Sequence, residues 1–352
     1  MTLRQRFDQT KAFYLYGATP AADGVVRLLK LHNKSILSFV DKDPIKQKSA
    51  FLGNDVLSPA AMFDVLSPDE GIIIVSAYQQ EIAQFLTQNG ASEAQVFPML
   101  DGMFLPTYGD HFTGCAVLDK IEAELPTQEE RAYLQSWRQF KKHGNLADLK
   151  PMRSMQKQYD HKSWLSSLKS GGVAIDVGAF DGATSLELAG TGLFSKVIAI
   201  EPFEANFNAL KSSFVQTNSP VKLEALQLAV GAEEATVFQD TEDVSSRSRI
   251  NLDDTSSTDN SEAVKIVPLD ALDTGRVSLV KVDVEGFELD FLTGGRETLE
   301  RNRPHLAISA YHHKDHPGKI ASFLYENFEG VEIRVGHHPT AIYELEYYVR
   351  FA

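Results

Sequence analysis

The stretch Val173–Ser185, "VAIDVGAFDGATS", decides how this chain is read. An apolar run ends on an acid, opens into two glycines spaced Gly-x-x-x-Gly and enters a helical pattern. That is a strand, a ligand loop and a helix of an α/β sheet. Ligands of such sheets bind beyond the carboxyl ends of the strands. A pyrophosphate loop takes Gly-x-Gly-x-x-Gly and rests its ligand on the helix N-terminus. Here Gly178 and Gly182 stand without the middle glycine, and Asp176 and Asp181 add negative charge. The loop, Gly178, Ala179, Asp181, Gly182 and Thr184 with Asp176 before it, suits a ligand with an amine and a sulfonium but no phosphate.

Two further strand ends support this. "KVIAIEP" closes on Glu201 and Pro202, which puts a carboxylate beside the first loop, where it can accept ribose hydroxyls. Alone it does not separate NAD from S-adenosylmethionine. Together with the acidic loop it favours S-adenosylmethionine. "VKVDVEGFE", Val280–Glu288, sets three acids within six residues. Asp283 and Glu285 fall at the strand end, placed to steer a sulfonium or to accept a proton. Gln227 and Ala229, after the third strand, are expected at the adenine. Phe180, Phe203 and Phe287 are candidates to face a cation or to fill the core.

Outward from these motifs the chain alternates strand and helix. Before residue 99, "AFYLYG", "SILSFVDKDP", "GIIIVSA" and "AQVFP" are strands, separated by helices such as "ADGVVRLLKLH" and "SPAAMFDVL". The pattern predicts a small parallel sheet with helices on both faces. Residues 99–170 are expected as a helical connector. Its "PTQEERAYLQSWRQFKKHG" carries Glu129 and Glu130 early and Lys141 and Lys142 late, matching the helix dipole. From residue 171 the alternation resumes. It closes on "VEIRVGHHPTAIYELEYYVRFA", two strands that imply an antiparallel end to the sheet.

The segments "AIDVGAFDGATS", "VIAIEPFEANFNALK", "VPLDAL", "VKVDVEGFELDFLTGGRETL" and "RPHLAISAYH", in this order, resemble the FkbM family of methyltransferases. The resemblance covers the last half of the chain and is most specific at "KVDVEGFE" followed by Gly294–Gly295. It departs at Phe180 and Asp181, where relatives carry an Asn-Ile or Asn-Val type pair. It implies a class I, S-adenosylmethionine-dependent methyltransferase acting on a hydroxyl of a sugar, glycan or secondary metabolite. The expected architecture has three parts. Residues 1–98 form a smaller Rossmann-like α/β domain, 99–170 a helical connector, and 171–352 a methyltransferase domain with an antiparallel last strand.

Six of the ten histidines follow residue 304. The family places a Tyr-His pair at the end of the fifth strand, so His312 joins Asp283 and Glu285 as a candidate general base. His313, His316, His337 and His338 are read either as solvated loop residues or as metal ligands. No metal-binding pattern is present, and the scheme requires no metal. Arg247 and Arg249, in "DVSSRSRINL", suggest a lid over an anionic or sugar acceptor, or else a plain surface loop.

In the front domain Gly17 is followed by Ala18, Thr19 and Pro20, which crowd a phosphate turn and remove a donor. A degenerate nucleotide site is expected, leaving acceptor positioning, partner binding or homodimer formation as its role. Two rivals remain: a nicotinamide-dependent oxidoreductase using this domain, and a non-catalytic scaffold. Nitrogen or carboxylate acceptors are a third variant. A net charge of −14 argues against a nucleic-acid partner. The single cysteine, Cys115, fits a reducing compartment. The polar N-terminus and short apolar runs predict a cytoplasmic protein without membrane insertion.

Overall fold

In the computed structural model the described residues are 1–102, 105–152, 167–240, 261–336 and 344–352. They divide into two compact units, one built on residues 1–122 and 126–152, the other on 123–125 and the residues from 167 onward.

The first unit opens with α1 (Leu3–Gln9), capped reciprocally by Thr2 and Gln5. It then alternates β1 (Ala12–Tyr16), α2 (Ala22–Leu31), β2 (Ser35–Val40), β3 (Val56–Leu57), α3 (Pro59–Val65), β4 (Gly71–Ile74), α4 (Gln79–Gln88) and β5 (Val96–Phe97). The sheet runs β3-β2-β1-β4-β5, and every pairing is parallel. Strand β4 is buried throughout, as its unbroken "GIII" requires. Ser58 caps α3, with Pro59 at its first position. Of the segment expected as a connector, residues 99–102, 105–122 and 126–152 group with this unit. Its described α-helices are α5 (Ala116–Glu124), whose last two residues fall to the other unit, and α6 (Gln128–His143). Thr127 caps α6 and Gly144, at φ +65°, ends it. Leu134, Trp137 and Phe140 give α6 a buried apolar face.

The second unit holds β6 (Val173–Val177), α7 (Ala183–Gly190), β7 (Lys196–Ile200), α8 (Glu204–Gln216) and β8 (Lys222–Leu226). After these come β9 (Ala229–Val230), β10 (Ala235–Asp240), β11 (Ser261–Val267) and β12 (Val277–Val282). It continues with α9 (Glu288–Gly294), α10 (Arg296–Asn302), β13 (His305–Ser309), α11 (His316–Asn327), β14 (Val331–Gly336) and β15 (Glu346–Phe351). The seven-stranded sheet runs β14-β15-β13-β12-β6-β7-β8. β15 enters antiparallel between β13 and β14, which is the antiparallel last strand that the closing segment implied.

Two segments whose sequence patterns each run on as a single element are divided in the structure. "VKLEALQLAV" is not one strand. It breaks after Leu226, and Ala229–Val230 joins a separate sheet ordered β10-β11-β9. That sheet closes a cluster of Phe203, Ala229, Val237, Val264, Ile266 and Phe287. "ELDFLTGGRETLER" is likewise two helices meeting at Gly295. A Cβ at Gly294 would overlap the carbonyl of Gly231, so the helix packs there backbone to backbone. Arg247, Arg249, His337 and His338 lie outside the described residues.

Candidate active site

The central strands β7, β6, β12 and β13 end side by side, and their last residues supply the site. Register pairs Val177 with both Ile200 and Val282, and Val282 with Ile308. The residues that follow, Gly178, Glu201, Asp283 and the Tyr311–His312 pair, are thereby delivered to one edge. A cavity of about 540 Å³, open to solvent, lies against this edge.

Of the expected cofactor residues, Gly178, Glu201, Pro202, Ala229 and Asp283 line the cavity, and Glu285 joins them. Phe180, Phe203 and Phe287 line it as well; Phe203 and Phe287 also belong to the core, so both readings of these two aromatics apply. Asp176, Ala179, Asp181, Gly182, Thr184 and Gln227 are not among the lining residues. Gln227 is exposed and reaches Glu262 at 3.4 Å. Asp181 accepts the amide of Ala183 at 3.1 Å, opening α7.

Asp176 sits beneath the loop with no exposed surface. Its carboxylate accepts the Ser185 hydroxyl at 2.6 Å and lies 3.0 Å from the Lys281 ammonium. Lys281, itself buried, also donates to the carbonyl of Gly178 at 2.7 Å. Burial works against the lysine's charge, but Asp176, Asp283 and Glu201 outweigh it and hold its pKa above the ordinary value. A buried ion pair therefore braces the ligand loop from below. Lys281 was missed in the sequence, although a lysine inside an otherwise apolar central strand must find a buried partner.

Glu201 is held from three directions. Its carboxylate accepts the amides of Phe180 at 3.0 Å and Phe203 at 3.2 Å, and the Asn206 side chain at 3.2 Å. Burial raises its pKa, opposed by these donors. Phe180 makes its bond from a left-handed backbone, φ +49°. Asparagine tolerates that conformation far better than phenylalanine, which gives a physical reason for the Asn of the family motif there.

On the other side of the cavity stands a second buried network. Glu288, fully buried at the start of α9, lies 2.7 Å from His312 Nδ1 and 3.0 Å from His316 Nδ1. It also accepts the amides of Val284 and Gly286 at 3.2 and 3.3 Å. His312 and His316 are therefore internal, not solvated, whereas His313 is half-exposed. Nε2 of His312 faces Asp283 at 3.4 Å and Glu285 at 3.5 Å. Burial opposes a charge on His312, but Glu288, Glu285 and Asp283 push its pKa up to about 9. In this state His312 holds its proton at neutral pH and is a donor rather than a base. Burial, with Asp283, pushes the Glu344 carboxyl up to about 7. Glu288 is one of the three acids of "VKVDVEGFE", with no role assigned there, and Glu344 did not stand out in the sequence. The first reads as an ordinary acid in a helix's first turn, and the second as one polar residue among three before a strand.

In the first unit the corresponding edge is filled by its own side chains. Asp41, ending β2, accepts the Ala18 amide at 3.1 Å and pairs with Lys46 at 2.8 Å. Lys46 also donates to the Ala18 carbonyl at 3.0 Å. A Cβ at Gly17, φ +121°, would overlap the Val75 carbonyl.

Residues 176–333 match the family described as the methyltransferase FkbM domain. That stretch of the second unit is similar to the FkbM methyltransferases. The methyltransferase FkbM of Methylobacillus flagellatus KT superposes with a TM-score of 0.75 at 16% identity, covering 99% of this chain and 94% of that one. The α/β fold of both units is thus shared with that protein. Weaker likenesses include the m1A22 tRNA methyltransferase TrmK of B. subtilis (TM-score 0.35, 11% identity, 56% of this chain and 68% of that one). TrmK of M. capricolum, solved with S-adenosyl-homocysteine, is another (TM-score 0.36, 7% identity, 55% and 69%). No relative is found among the curated proteins. The family match supports S-adenosyl-L-methionine as the cofactor. The donor set agrees: one wall of the cavity is apolar, with Phe203, Ala229 and Phe287, and the rest carries Glu201, Asp283 and Glu285. Carboxylates suit ribose hydroxyls, an amine and a sulfonium, and would repel a pyrophosphate. Among the described residues no helix is long and apolar enough to cross a membrane.

Proposed function

We propose that the FkbM domain transfers a methyl group from S-adenosylmethionine to a hydroxyl of a carbohydrate or secondary metabolite. The observation that carries this is the convergence of Glu201, Asp283 and Glu285 on one cavity, with His312 behind the last two. When bound, the cofactor supplies an electrophilic methyl on a sulfonium sulfur. Glu201, fixed by three donors, accepts the ribose hydroxyls, and Phe203, Phe287 and Ala229 cover the apolar base. Asp283 and Glu285 face the cationic end. An alcohol needs a partner for its proton during attack. Asp283 and Glu285, which line the cavity, are the carboxylates placed for that role, with the His312 imidazole 3.4 and 3.5 Å from them. Most of the acceleration in such a transfer comes from fixing donor and acceptor in line.

The nicotinamide rival fares worse, because Lys46 and Asp41 already close the first unit's turn where a pyrophosphate would approach. The test is acceptor-dependent formation of S-adenosylhomocysteine over a panel of saccharides, nucleotide sugars and polyketide alcohols, with amines and carboxylic acids alongside. Turnover with hydroxyl acceptors is expected. Turnover with amines or acids alone overturns the hydroxyl assignment.

A further inference from the structure

The geometry points to a divalent-cation site formed by Asp283, Glu285 and His312. One ligand atom from each lies within 4.8 Å of the others. The same imidazole makes two unlike contacts. Its Nδ1 meets Glu288 at 2.7 Å, a full charge-assisted hydrogen bond. Its Nε2 stands 3.4 and 3.5 Å from the two other carboxylates, wider than such a bond closes to. Ligand atoms about 2.1 Å from a shared ion lie roughly 3.0–3.5 Å from one another. Both His312 distances fall within that range.

The surroundings are those of a ligating histidine. With a cation in place of the Nε2 proton, Glu288 accepts Nδ1–H and the Nε2 lone pair points into the gap, the usual carboxylate–histidine–metal relay. Glu288 is in turn fixed by the Val284 and Gly286 amides and by His316. Asp283, Glu285 and Glu288 bring three carboxylates to one buried corner, and a divalent ion offsets that charge. Two carboxylates and one imidazole suit Mn²⁺, Fe²⁺ or Zn²⁺. All three ligands approach from the strand ends, and Asp283 and Glu285 also line the cavity, so the remaining positions face it. There the ion would hold an acceptor oxygen and make its proton easier to lose. That use rests on the proposed methyl transfer; the site itself does not. The sequence conceals it because the ligands come from two strands, with Asp-x-Glu after β12 and His312 after β13.

The test uses the full chain, stripped with chelator, and Mn²⁺ as the probe. Loss of the free-ion paramagnetic signal counts bound Mn²⁺, and pulsed measurement detects a coordinated imidazole nitrogen. One Mn²⁺ per chain at micromolar affinity is expected, with nitrogen coupling. Asp283→Asn and Glu285→Gln should each weaken it at least tenfold, and His312→Gln should abolish the coupling. Absence of a stoichiometric site, or of nitrogen coupling in the unaltered protein, overturns the inference whether or not the variants fold. S-adenosylhomocysteine binding is measured on the same samples. Its presence without Mn²⁺ binding rejects the cation site alone, and Mn²⁺ binding without it rejects the methyl-transfer reading alone.

Discussion

Replacing Lys281 by methionine tests whether the brace under the ligand loop holds the domain together. The ammonium is 3.0 Å from Asp176 and 2.7 Å from the Gly178 carbonyl, and the side-chain exposures of Lys281 and Asp176 are 5% and 0%. Without it, the side-chain donor left to Asp176 is the neutral Ser185 hydroxyl. Breaking a buried pair from one side costs about 3–5 kcal/mol, because the other charge stays buried. At about 1.4 kcal/mol per tenfold, that is roughly two to three and a half powers of ten in an opening equilibrium. Hydrogen exchange followed by mass spectrometry reads it directly on peptides from β6 and β12. The double replacement Lys281→Met with Asp176→Leu removes both charges. It should be more stable than Lys281→Met alone, since an apolar pair of similar volume is close to neutral. A change under tenfold in the single variant, or strictly additive losses in the double, would refute the reasoning.

Other expectations follow from the same structure. Phe180 occupies a left-handed backbone while 41% exposed, so little packing offsets its strain. Phe180→Asn should stabilise the FkbM domain by about 1 kcal/mol, read as a raised denaturation midpoint; a lower midpoint would show that the aromatic contact outweighs the strain. The His312 pKa is raised to about 9, so its stabilising share is complete below about pH 6.5 and is lost as pH rises through 9. With chelator present, protection of β13 amides should fall over that window, and His312→Asn should flatten the fall; an unchanged slope counts against the Glu288 pairing. In the first unit burial pushes Lys141 down to about 7, opposed by Asp101. The unfolded chain therefore binds more protons between pH 7 and about 10.5, and stability of this unit should rise with pH there. Trp137, packed beside Lys141, reports it by fluorescence, and a decline over that range would contradict a desolvated lysine.

The fold was legible where one local rule sufficed. Acid-terminated apolar runs marked the carboxyl ends of β6, β7 and β12, and the last two strands announced the antiparallel end of the sheet. Gly294 shows where local rules stopped, since its helix is cut by a backbone brought from Gly231, far away in sequence. The site divides in the same way. Glu201, Asp283 and Glu285 could be placed because strand ends face the ligand. The position of Asp176 could not, because periodicity tells which face a residue takes but not which charge lies opposite. Its partner Lys281 arrives from another strand, as does His312 for Asp283. The three-stranded sheet escaped because two of its strands are separated by a long polar run of sequence and its third is two residues long.

The central claim is that the edge formed by Gly178, Glu201 and Asp283 holds S-adenosylmethionine. Calorimetric titration of S-adenosylhomocysteine, with NAD and a nucleotide sugar in parallel, tests it most directly. Micromolar binding of S-adenosylhomocysteine alone, lost at least tenfold in Glu201→Ala, is the predicted result. Binding of NAD or the nucleotide sugar alone, or of S-adenosylhomocysteine undiminished by Glu201→Ala, would contradict it.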